Sequence, residues 1–220
     1  MPAPGGRNGG RRLVSRRGRT ASSARWLERQ LSDPYVRRAH AEGWRARAAF
    51  KLMELDDRFG LLKGVRKVVD LGAAPGSWCQ VVHARAPGAA IVAVDVLEMD
   101  PLPGVTVLTM DFLDPQAADR IEAALGGPAD LVISDMAANM VGHQKTDHLR
   151  TMALVEEAAA FASGILSPGG QFVAKLLSGG AEPALVAELK RQFATVKHAK
   201  PPASRKESSE TYVVAQGFRG

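Results

Sequence analysis

The chain has 220 residues, of which 45% are hydrophobic, 24% are charged and one is a cysteine. This length predicts one domain with at most a short appendage, and the single Cys79 excludes an internal disulfide and thiolate-rich metal sites. No apolar run approaches the roughly 20 residues of a membrane helix and the first residues lack a secretory apolar block, so we expect a cytoplasmic protein without a membrane partner.

The charge is distributed unevenly along the chain. The formal net charge is +6, yet residues 1–51 carry 13 Lys and Arg against 3 acidic residues, whereas residues 52–220 carry 16 against 20. A basic front segment on a mildly acidic body predicts a surface that binds a polyanion. A merely solvated basic tail is the alternative.

The first predicted segment is the tail itself, residues 1–24, which consists mainly of Gly, Pro, Ser and Arg. It has almost no side chains to bury, so we expect it to stay disordered until it meets a partner. An organelle transit peptide is also rich in Arg, but the Gly and Pro content disfavours the amphipathic helix that it needs. We therefore expect a basic tail over 1–24 and a single domain over 25–220.

Helical periodicity begins after the tail. The stretch 38–60 is predicted to be helical with a break near Gly43, and its second part, about 46–59, carries a wide apolar stripe. Strands and helices then alternate. Strands are predicted at 67–71, 90–96, 105–111, 130–136, 170–177 and 211–218, and helices at 77–85, 115–125, 148–165 and 181–194.

This alternation predicts an α/β fold with a mostly parallel, doubly wound sheet covered by helices on both faces. The last strand is expected to run antiparallel, as an edge strand. In such sheets ligands bind at the carboxyl ends of the parallel strands. Residues at those ends are therefore the candidates for a functional site, and they are Asp70, Asp95, Asp111, Asp135 and Lys175.

A glycine turn follows the first strand in the stretch VVDLGAAPGSWCQ, residues 68–80. Gly72 and Gly76 are spaced as G-x-x-x-G, which is not the G-x-G-x-x-G of dinucleotide-binding enzymes. No Lys-Ser or Lys-Thr pair follows, so the turn is not a Walker phosphate loop either. The turn therefore gives little support for phosphate binding.

Acidic residues near this turn favour a different ligand. Asp95 ends the second strand, where a carboxylate typically accepts ribose hydroxyls, and Asp111 ends the third, within reach of an adenine edge. A ligand with a ribose, an adenine and a positive centre but no phosphate suits this set, and S-adenosylmethionine is such a ligand. Gly72 and Gly76 would let the backbone approach it closely. Trp78 is expected to contact S-adenosylmethionine, and a position in the core is the alternative. For the acidic residues, the alternative is that they are ordinary aspartates at strand ends without a ligand.

Charged residues in apolar strands require an explanation, because an unpaired buried charge is costly. Asp135 and Lys175 are two such residues, and Glu210 opens the last strand. Lys51 lies on the helix ahead of the first strand. If the last strand is antiparallel, these four side chains can meet at the mouth of the cofactor cleft, with Glu207 as a weaker candidate than Glu210 for the second carboxylate.

Five segments in register resemble the FtsJ (RrmJ) family of ribosomal RNA large-subunit methyltransferases over about residues 22–218. They are SSARWLERQLSDPYVRRAHAEGWRARAAFKLMELDDRFGLL, VVDLGAAPGSW, DLVISDMAANMVG, LSPGGQFVAKLLSG and SRKESSETYVVAQGF. The resemblance implies a Rossmann-like S-adenosylmethionine-dependent methyltransferase fold. It implies a catalytic Lys51, Asp135, Lys175 and Glu210, and cofactor contacts from Gly76, Trp78, Asp95, Asp111 and Asp135.

The implied reaction is 2′-O-methylation of a uridine ribose in the peptidyl-transferase region of 23S rRNA, in the assembled large subunit. Two positions depart from the family pattern. Ser77 replaces a usual glycine and should be tolerated if its φ is negative, and Ala138 replaces a frequent proline in the turn after the fourth strand.

Methyl transfer to a ribose requires a group that handles the hydroxyl proton, because a 2′-hydroxyl is a very weak acid. Lys175 is the candidate base. Burial and Lys51 favour its neutral amine while Asp135 and Glu210 favour the ammonium form, so a role as an orienting cation stays open. RNA phosphate contacts are expected from the segment RRLVSRRGR and from Arg25, Arg37, Arg38, Arg45 and Arg47.

Three alternatives stand beside this interpretation. A ribose methyltransferase acting on tRNA or another RNA keeps the chemistry, and a non-catalytic RNA-binding assembly factor would need a broken catalytic set. A metal at His143, Asp147 and His148 is disfavoured because this spacing is unspecific, so no metal is expected. The chain carries no sign of a dimer seam, and a monomer is expected.

Overall fold

The computed structural model describes residues 32–138, 144–177 and 182–220, without the side chains of residues 144, 145 and 182. The predicted tail over 1–24, the predicted RNA contact Arg25 and the metal candidate His143 lie outside the described residues. The boundary between tail and domain therefore stays a prediction.

The described residues form seven strands and six helices. The strands are β1 (Lys67–Leu71), β2 (Ala90–Asp95), β3 (Val105–Thr109), β4 (Ala129–Ser134), β5 (Leu166–Leu177), β6 (Phe193–Ala199) and β7 (Glu210–Phe218). The helices are α1 (Pro34–Glu42), α2 (Ala48–Phe59), α3 (Ser77–Arg85), α4 (Ala117–Leu125), α5 (Gln144–Ile165) and α6 (Glu182–Gln192).

One sheet contains all seven of these strands, in the order β3-β2-β1-β4-β5-β7-β6. Strands β1 to β5 pair in parallel, and β7 runs antiparallel to both β5 and β6. The predicted α/β class and the mostly parallel doubly wound sheet are confirmed.

The edge next to β7 differs from the prediction. Strand β6, which was not predicted, pairs on the outer side of β7, so β7 is antiparallel as expected but lies one place in from the edge. Residues 193 and 194 were predicted to be helical, whereas α6 ends at Gln192. Only Phe193 and Ala199 of β6 are buried, so its apolar pattern is too weak to predict a strand.

The predicted break near Gly43 is also confirmed. Helix α1 begins where the Asp33 carboxylate accepts a hydrogen bond of 3.0 Å from the Tyr35 backbone N–H, with Pro34 in the first turn. It ends at Gly43, which has a left-handed φ of 79°. The chain therefore turns before α2, which allows α2 to pack on the sheet independently of α1.

The sheet has a core on each face. Alternate residues of β1 enter different cores, with Val68 beside α2 and α3 and Val69 beside α4, α5 and α6. A small third cluster joins α1 and α2 to the loop before β7 through Ala39, Phe50 and Ala203. Across the described residues, no helix is both long and apolar enough to cross a bilayer.

Candidate active site

The glycine turn joins β1 to α3 at the carboxyl edge of the sheet. The backbone N–H of Gly72 donates to Val94 O at 2.8 Å, and the N–H of Ala74 donates to the Asp95 carboxylate at 2.9 Å. The turn is therefore fixed to the end of β2, which brings Asp95 beside it.

Both glycines of the turn adopt backbone conformations that disfavour other residues. Gly72 has a φ of 73°, and a Cβ there would lie 2.1 Å from Met136 Cγ. Gly76 has a φ of 96°, and a Cβ there would lie 2.8 Å from Met99 Sδ. Ser77 does not share this conformation, since no described residue other than glycine has a positive φ. Ser77 therefore has the negative φ at which a serine is expected to be tolerated in place of glycine.

Four charged side chains that were predicted to meet do lie together. Lys51 Nζ lies 2.8 Å from Glu210 Oε1 and 3.5 Å from Asp135 Oδ2. Lys175 Nζ lies 3.1 Å from Asp135 Oδ1 and also donates to the Asp135 backbone oxygen. Both lysines are only 8% exposed. Glu207 is not among these contacts, and it is exposed.

Strand register explains this convergence. Lys175 of β5 is the direct antiparallel partner of Tyr212 of β7, so their side chains share one face of the sheet. Glu210 lies two residues before Tyr212 and therefore projects from the same face. Helix α2 covers this face and supplies Lys51, while Asp135 follows β4 directly.

Tyr212 also belongs to the cluster, although it is not among the predicted site residues. Its hydroxyl lies 2.6 Å from Asp135 Oδ1 and 3.2 Å from Glu210 Oε1, and its ring centroid lies 5.7 Å from Lys51 Nζ. Burial, followed by the charges of Asp135 and Glu210, raises the pKa of Tyr212 well above its usual value. Tyr212 is therefore a hydrogen-bond donor to the carboxylates. The i, i+2 spacing from Glu210 was the available sequence signal.

The two lysines keep Asp135 ionised. Burial alone would raise the pKa of Asp135, but the charges of Lys175 and Lys51 and the hydrogen bond from Tyr212 outweigh burial, and the pKa is lowered. The second carboxylate, Glu210, also accepts a hydrogen bond of 2.8 Å from Ser204 Oγ. The cluster therefore contains two amines and two carboxylates, with fixed donors around each carboxylate.

The ends of β2 and β3 have features that fit an adenosine. Asp95 and Asp111 each accept one backbone N–H from the residue two positions on, and each carboxylate keeps further acceptor capacity. Large apolar side chains beside them are exposed: Val96 by 65%, Leu97 by 64% and Leu113 by 48%. The carboxylates can accept hydrogen bonds from ribose hydroxyls or an amino group, and the exposed apolar side chains can pack against a flat base. Both features match the predicted cofactor.

Trp78 and Asp70 lie beneath this edge. Trp78 is 2% exposed, donates its indole N–H to Ala48 O at 2.8 Å and packs 5.9 Å from the Tyr212 ring. These contacts place it in the core, which is the alternative that the sequence left open. Burial raises the pKa of Asp70 to about 7, with further contributions from the charges of Asp135 and Asp95. Its described hydrogen-bond partner is the thiol of Cys79, at 3.1 Å.

Two of the arginines expected to contact RNA bind the protein itself. Arg47 pairs with Asp33 and donates to Ala203 O. The guanidinium of Arg45 donates to backbone oxygens of the glycine turn and of the loop after β2. Arg37 and Arg38 are exposed on α1, where Arg38 pairs with Glu42. Within the described ranges, no group of three or more His, Cys, Asp and Glu residues could hold a metal ion.

Comparison with known proteins gives a consistent result. Residues 44–218 match the family described as FtsJ-like methyltransferase. The Ribosomal RNA large subunit methyltransferase E of Rhizorhabdus wittichii is 63% identical over 97% of this chain and 93% of its own length. The protein of the same name from Zymomonas mobilis is 64% identical over 96% of each chain. A Plasmodium falciparum crystal structure assigned as a ribosomal RNA methyltransferase superposes with a TM-score of 0.73 at 30% identity, covering 80% of this chain and all of the other.

Proposed function

This chain belongs to the FtsJ-like methyltransferase family, and we propose that it methylates a ribose 2′-hydroxyl of large-subunit ribosomal RNA. The methyl donor is S-adenosylmethionine. Relatives at 63% and 64% identity carry the name of a large-subunit ribosomal RNA methyltransferase over nearly the whole chain, which supports this class of substrate.

The observation that carries the proposal is the convergence of Lys51, Lys175 and Glu210 around Asp135 at the carboxyl edge of the sheet. Burying four charged groups costs desolvation free energy that their pairing only partly offsets, so apolar residues would stabilise a purely structural core better. The cluster lies beside the glycine turn, because Met136, the residue after Asp135, lies against the first glycine of that turn. The amines are therefore next to the region where a methyl group would be presented.

The cofactor would be held by the glycine turn with Asp95 and Asp111, and when bound it supplies an electrophilic methyl group. The ribose oxygen must lose its proton as it gains the methyl group, and we assign that proton to the neutral amine of Lys175, which forms when the ammonium paired with Asp135 first releases a proton to solvent. Asp135 fixes the Lys175 amine through two contacts. Lys51 contacts the other carboxylate oxygen of Asp135, and Glu210 pairs with Lys51. Most of the acceleration then comes from alignment of the hydroxyl within the cluster.

The finer parts of the proposal concern the target. We propose that the modified sugar belongs to a uridine, that the substrate is the assembled large subunit, and that the protein acts as a monomer in the cytoplasm. The uneven charge of the chain supports a large polyanionic substrate.

The test uses the purified full-length protein with radiolabelled S-adenosylmethionine. Large ribosomal subunits, free 23S rRNA and tRNA are offered separately, and the methyl group is mapped by mass spectrometry of the digested RNA. A 2′-O-methyluridine found only when subunits are offered supports the proposal in full. Methylation of a base, or of tRNA alone, would refute it.

A variant of Lys175 tests the assigned role. Lys175→Ala is expected to abolish methyl transfer while the Kd for S-adenosylmethionine stays within about threefold, because Lys175 contacts Asp135 rather than the adenosine region. Single-turnover methylation and a cofactor titration measure the two effects. Lys197→Ala, at an exposed lysine of β6, is the matched control. Equal loss of transfer and cofactor binding would mean that Lys175 is structural.

A further inference from the structure

Arg45 connects three segments that surround the predicted cofactor site. One guanidinium nitrogen, Nη1, donates to Pro75 O at 2.9 Å and to Asp100 O at 2.7 Å, and Nη2 donates to Pro101 O at 2.8 Å. Pro75 belongs to the glycine turn after β1, while Asp100 and Pro101 belong to the loop after β2. Arg45 itself lies between α1 and α2.

Two further contacts hold Arg45 in place. Its backbone N–H donates to Gln80 Oε1 at 2.8 Å, and the Gln80 amide donates to Gly43 O at 3.1 Å. A Cβ on Gly76 would come within 3.0 Å of Arg45 Nη1. The guanidinium is therefore packed directly against the second glycine of the turn.

We propose that Arg45 is a positioning residue for S-adenosylmethionine, holding the turn after β1 and the loop after β2 at the spacing that the cofactor requires. The loop begins beyond Asp95, the carboxylate assigned to the ribose. A planar guanidinium can donate to carbonyls of two segments at once, which fixes their separation. The inference rests on the family's cofactor and is independent of which RNA is methylated.

The contacts disfavour the phosphate-binding role that the sequence predicted for Arg45. Three of the five N–H donors of the guanidinium bond to backbone carbonyls, and a phosphate that reached those donors would have to compete with the carbonyls. Arg37, by contrast, is exposed on α1. The two arginines should therefore differ in which ligand they affect.

The decisive variant is Arg45→Lys. A lysine keeps the positive charge, so a phosphate contact would be largely retained, but its single ammonium cannot span the carbonyls of both loops. We expect the Kd for S-adenosylmethionine to rise about tenfold in Arg45→Lys, which loses two of the three guanidinium hydrogen bonds, and at least as much in Arg45→Ala, which loses all three. Isothermal titration of the cofactor in the absence of RNA measures this.

The same proteins are then titrated with ribosomal RNA at several salt concentrations. Unchanged RNA affinity in Arg45→Lys and Arg45→Ala supports the inference. The control Arg37→Ala should show the reverse, with weaker RNA binding and an unchanged cofactor Kd. RNA affinity lost in Arg45→Ala and restored in Arg45→Lys, with an unchanged cofactor Kd, would overturn it. The cofactor titration contains no RNA, so the proposed RNA substrate can fail its own test without altering the result of that titration.

A second variant covers the case in which Arg45 substitutions unfold the protein, which thermal melting would reveal. Gln80→Ala removes the acceptor for the Arg45 N–H but leaves the guanidinium in place. We expect it to raise the cofactor Kd about two- to fivefold with RNA affinity unchanged. An unchanged cofactor Kd in a folded Gln80→Ala protein would contradict the proposed role.

Discussion

Asp70 of β1 and Asp135, which directly follows the neighbouring strand β4, differ in their pKa because they have different partners. Asp135 has two lysines and the Tyr212 hydroxyl around it, and its pKa is lowered despite burial. Asp70 is buried in β1 with the neutral thiol of Cys79 as its described hydrogen-bond partner, and burial raises its pKa to about 7. The same residue type therefore has its ionised form favoured in one position and its protonated form favoured in the other.

Asp70 should make the stability of the protein fall as the pH rises. Its folded pKa of about 7 lies above the ordinary value of 3.8, so the folded state binds more protons than the unfolded state between about pH 4 and 7. The cost of ionising Asp70 is absent at the acid end of this window and fully present above it. We compare the free energy of unfolding of Asp70→Asn with that of the unmutated protein. We expect this difference to move in favour of Asp70→Asn by about 2–4 kcal/mol as the pH rises from 5 to 8.

Urea unfolding of both proteins at pH 5, 6, 7 and 8 measures this difference. Glu98→Gln, at an exposed carboxylate, is the matched control and should change the free energy of unfolding by less than about 0.5 kcal/mol. A difference for Asp70→Asn that is constant with pH would mean that Asp70 ionises equally easily in the folded and unfolded states.

Elements with a strong apolar pattern could be predicted from the sequence, and weakly patterned ones could not. The predicted bounds of β1 and α3 agree with the structure because their apolar residues and the glycine turn mark both ends. Strand β6 could not be predicted because an edge strand buries few of its side chains. Five of its seven residues are exposed or only partly buried, so no apolar pattern marks the strand.

The candidate site shows the same limit at the level of contacts. Polar residues within apolar strands led to Asp135 and Lys175, and strand alternation brought Glu210 to the same face. The contacts of Arg45 and the burial of Trp78 depend on how separate elements pack, since their partners lie 30 or more positions away in the chain. No local pattern carries that information.

The loop before β7 connects the helix that carries Lys51 to the strand that carries Glu210. The backbone N–H of Ala203 donates to Glu54 of α2 at 2.6 Å, and the hydroxyl of Ser204 donates to Glu210 at 2.8 Å. Arg205 adds a contact of 3.2 Å with Asp33, the residue that caps α1. These contacts fix the loop to both helices, so Ser204 can hold Glu210 against Lys51.

Ser204→Ala should therefore lower kcat about three- to tenfold, with the KM for S-adenosylmethionine unchanged, because it removes one hydrogen bond to a charged carboxylate. Ser204→Thr, which keeps the hydroxyl, should restore most of the rate. Steady-state methylation kinetics measure both parameters, and Ser209→Ala, at an exposed serine of the same segment, is the control. Failure of Ser204→Thr to recover while Ser204→Ala stays active would contradict this role.

At the scale of the whole molecule, the basic segment of the chain ends at the active site. Residues 1–51 carry the excess of Lys and Arg, and the last of them, Lys51, pairs with Glu210 and Asp135. Residues 52–220 have a slight excess of acidic residues. Because Lys51 belongs both to this stretch of sequence and to the catalytic cluster, we expect the positive charge of the stretch to favour a polyanionic substrate at the cluster.

The salt dependence of RNA binding tests whether residues 1–24 take part. This segment carries six arginines, and each phosphate contact contributes about 0.7–0.9 to the slope of log affinity against log salt concentration. If all six engage RNA, deletion of residues 1–24 reduces the slope by about 4–5 and weakens binding at low salt, whereas the Kd for S-adenosylmethionine is unchanged. Filter binding at several salt concentrations measures the slope.

Replacing the six arginines by lysine should keep the slope, and replacing them by glutamine should reduce it as deletion does. The reason is that the effect comes from charge and not from chain length. A slope that survives deletion would mean that the segment is only solvated and that the affinity for RNA resides in the folded domain.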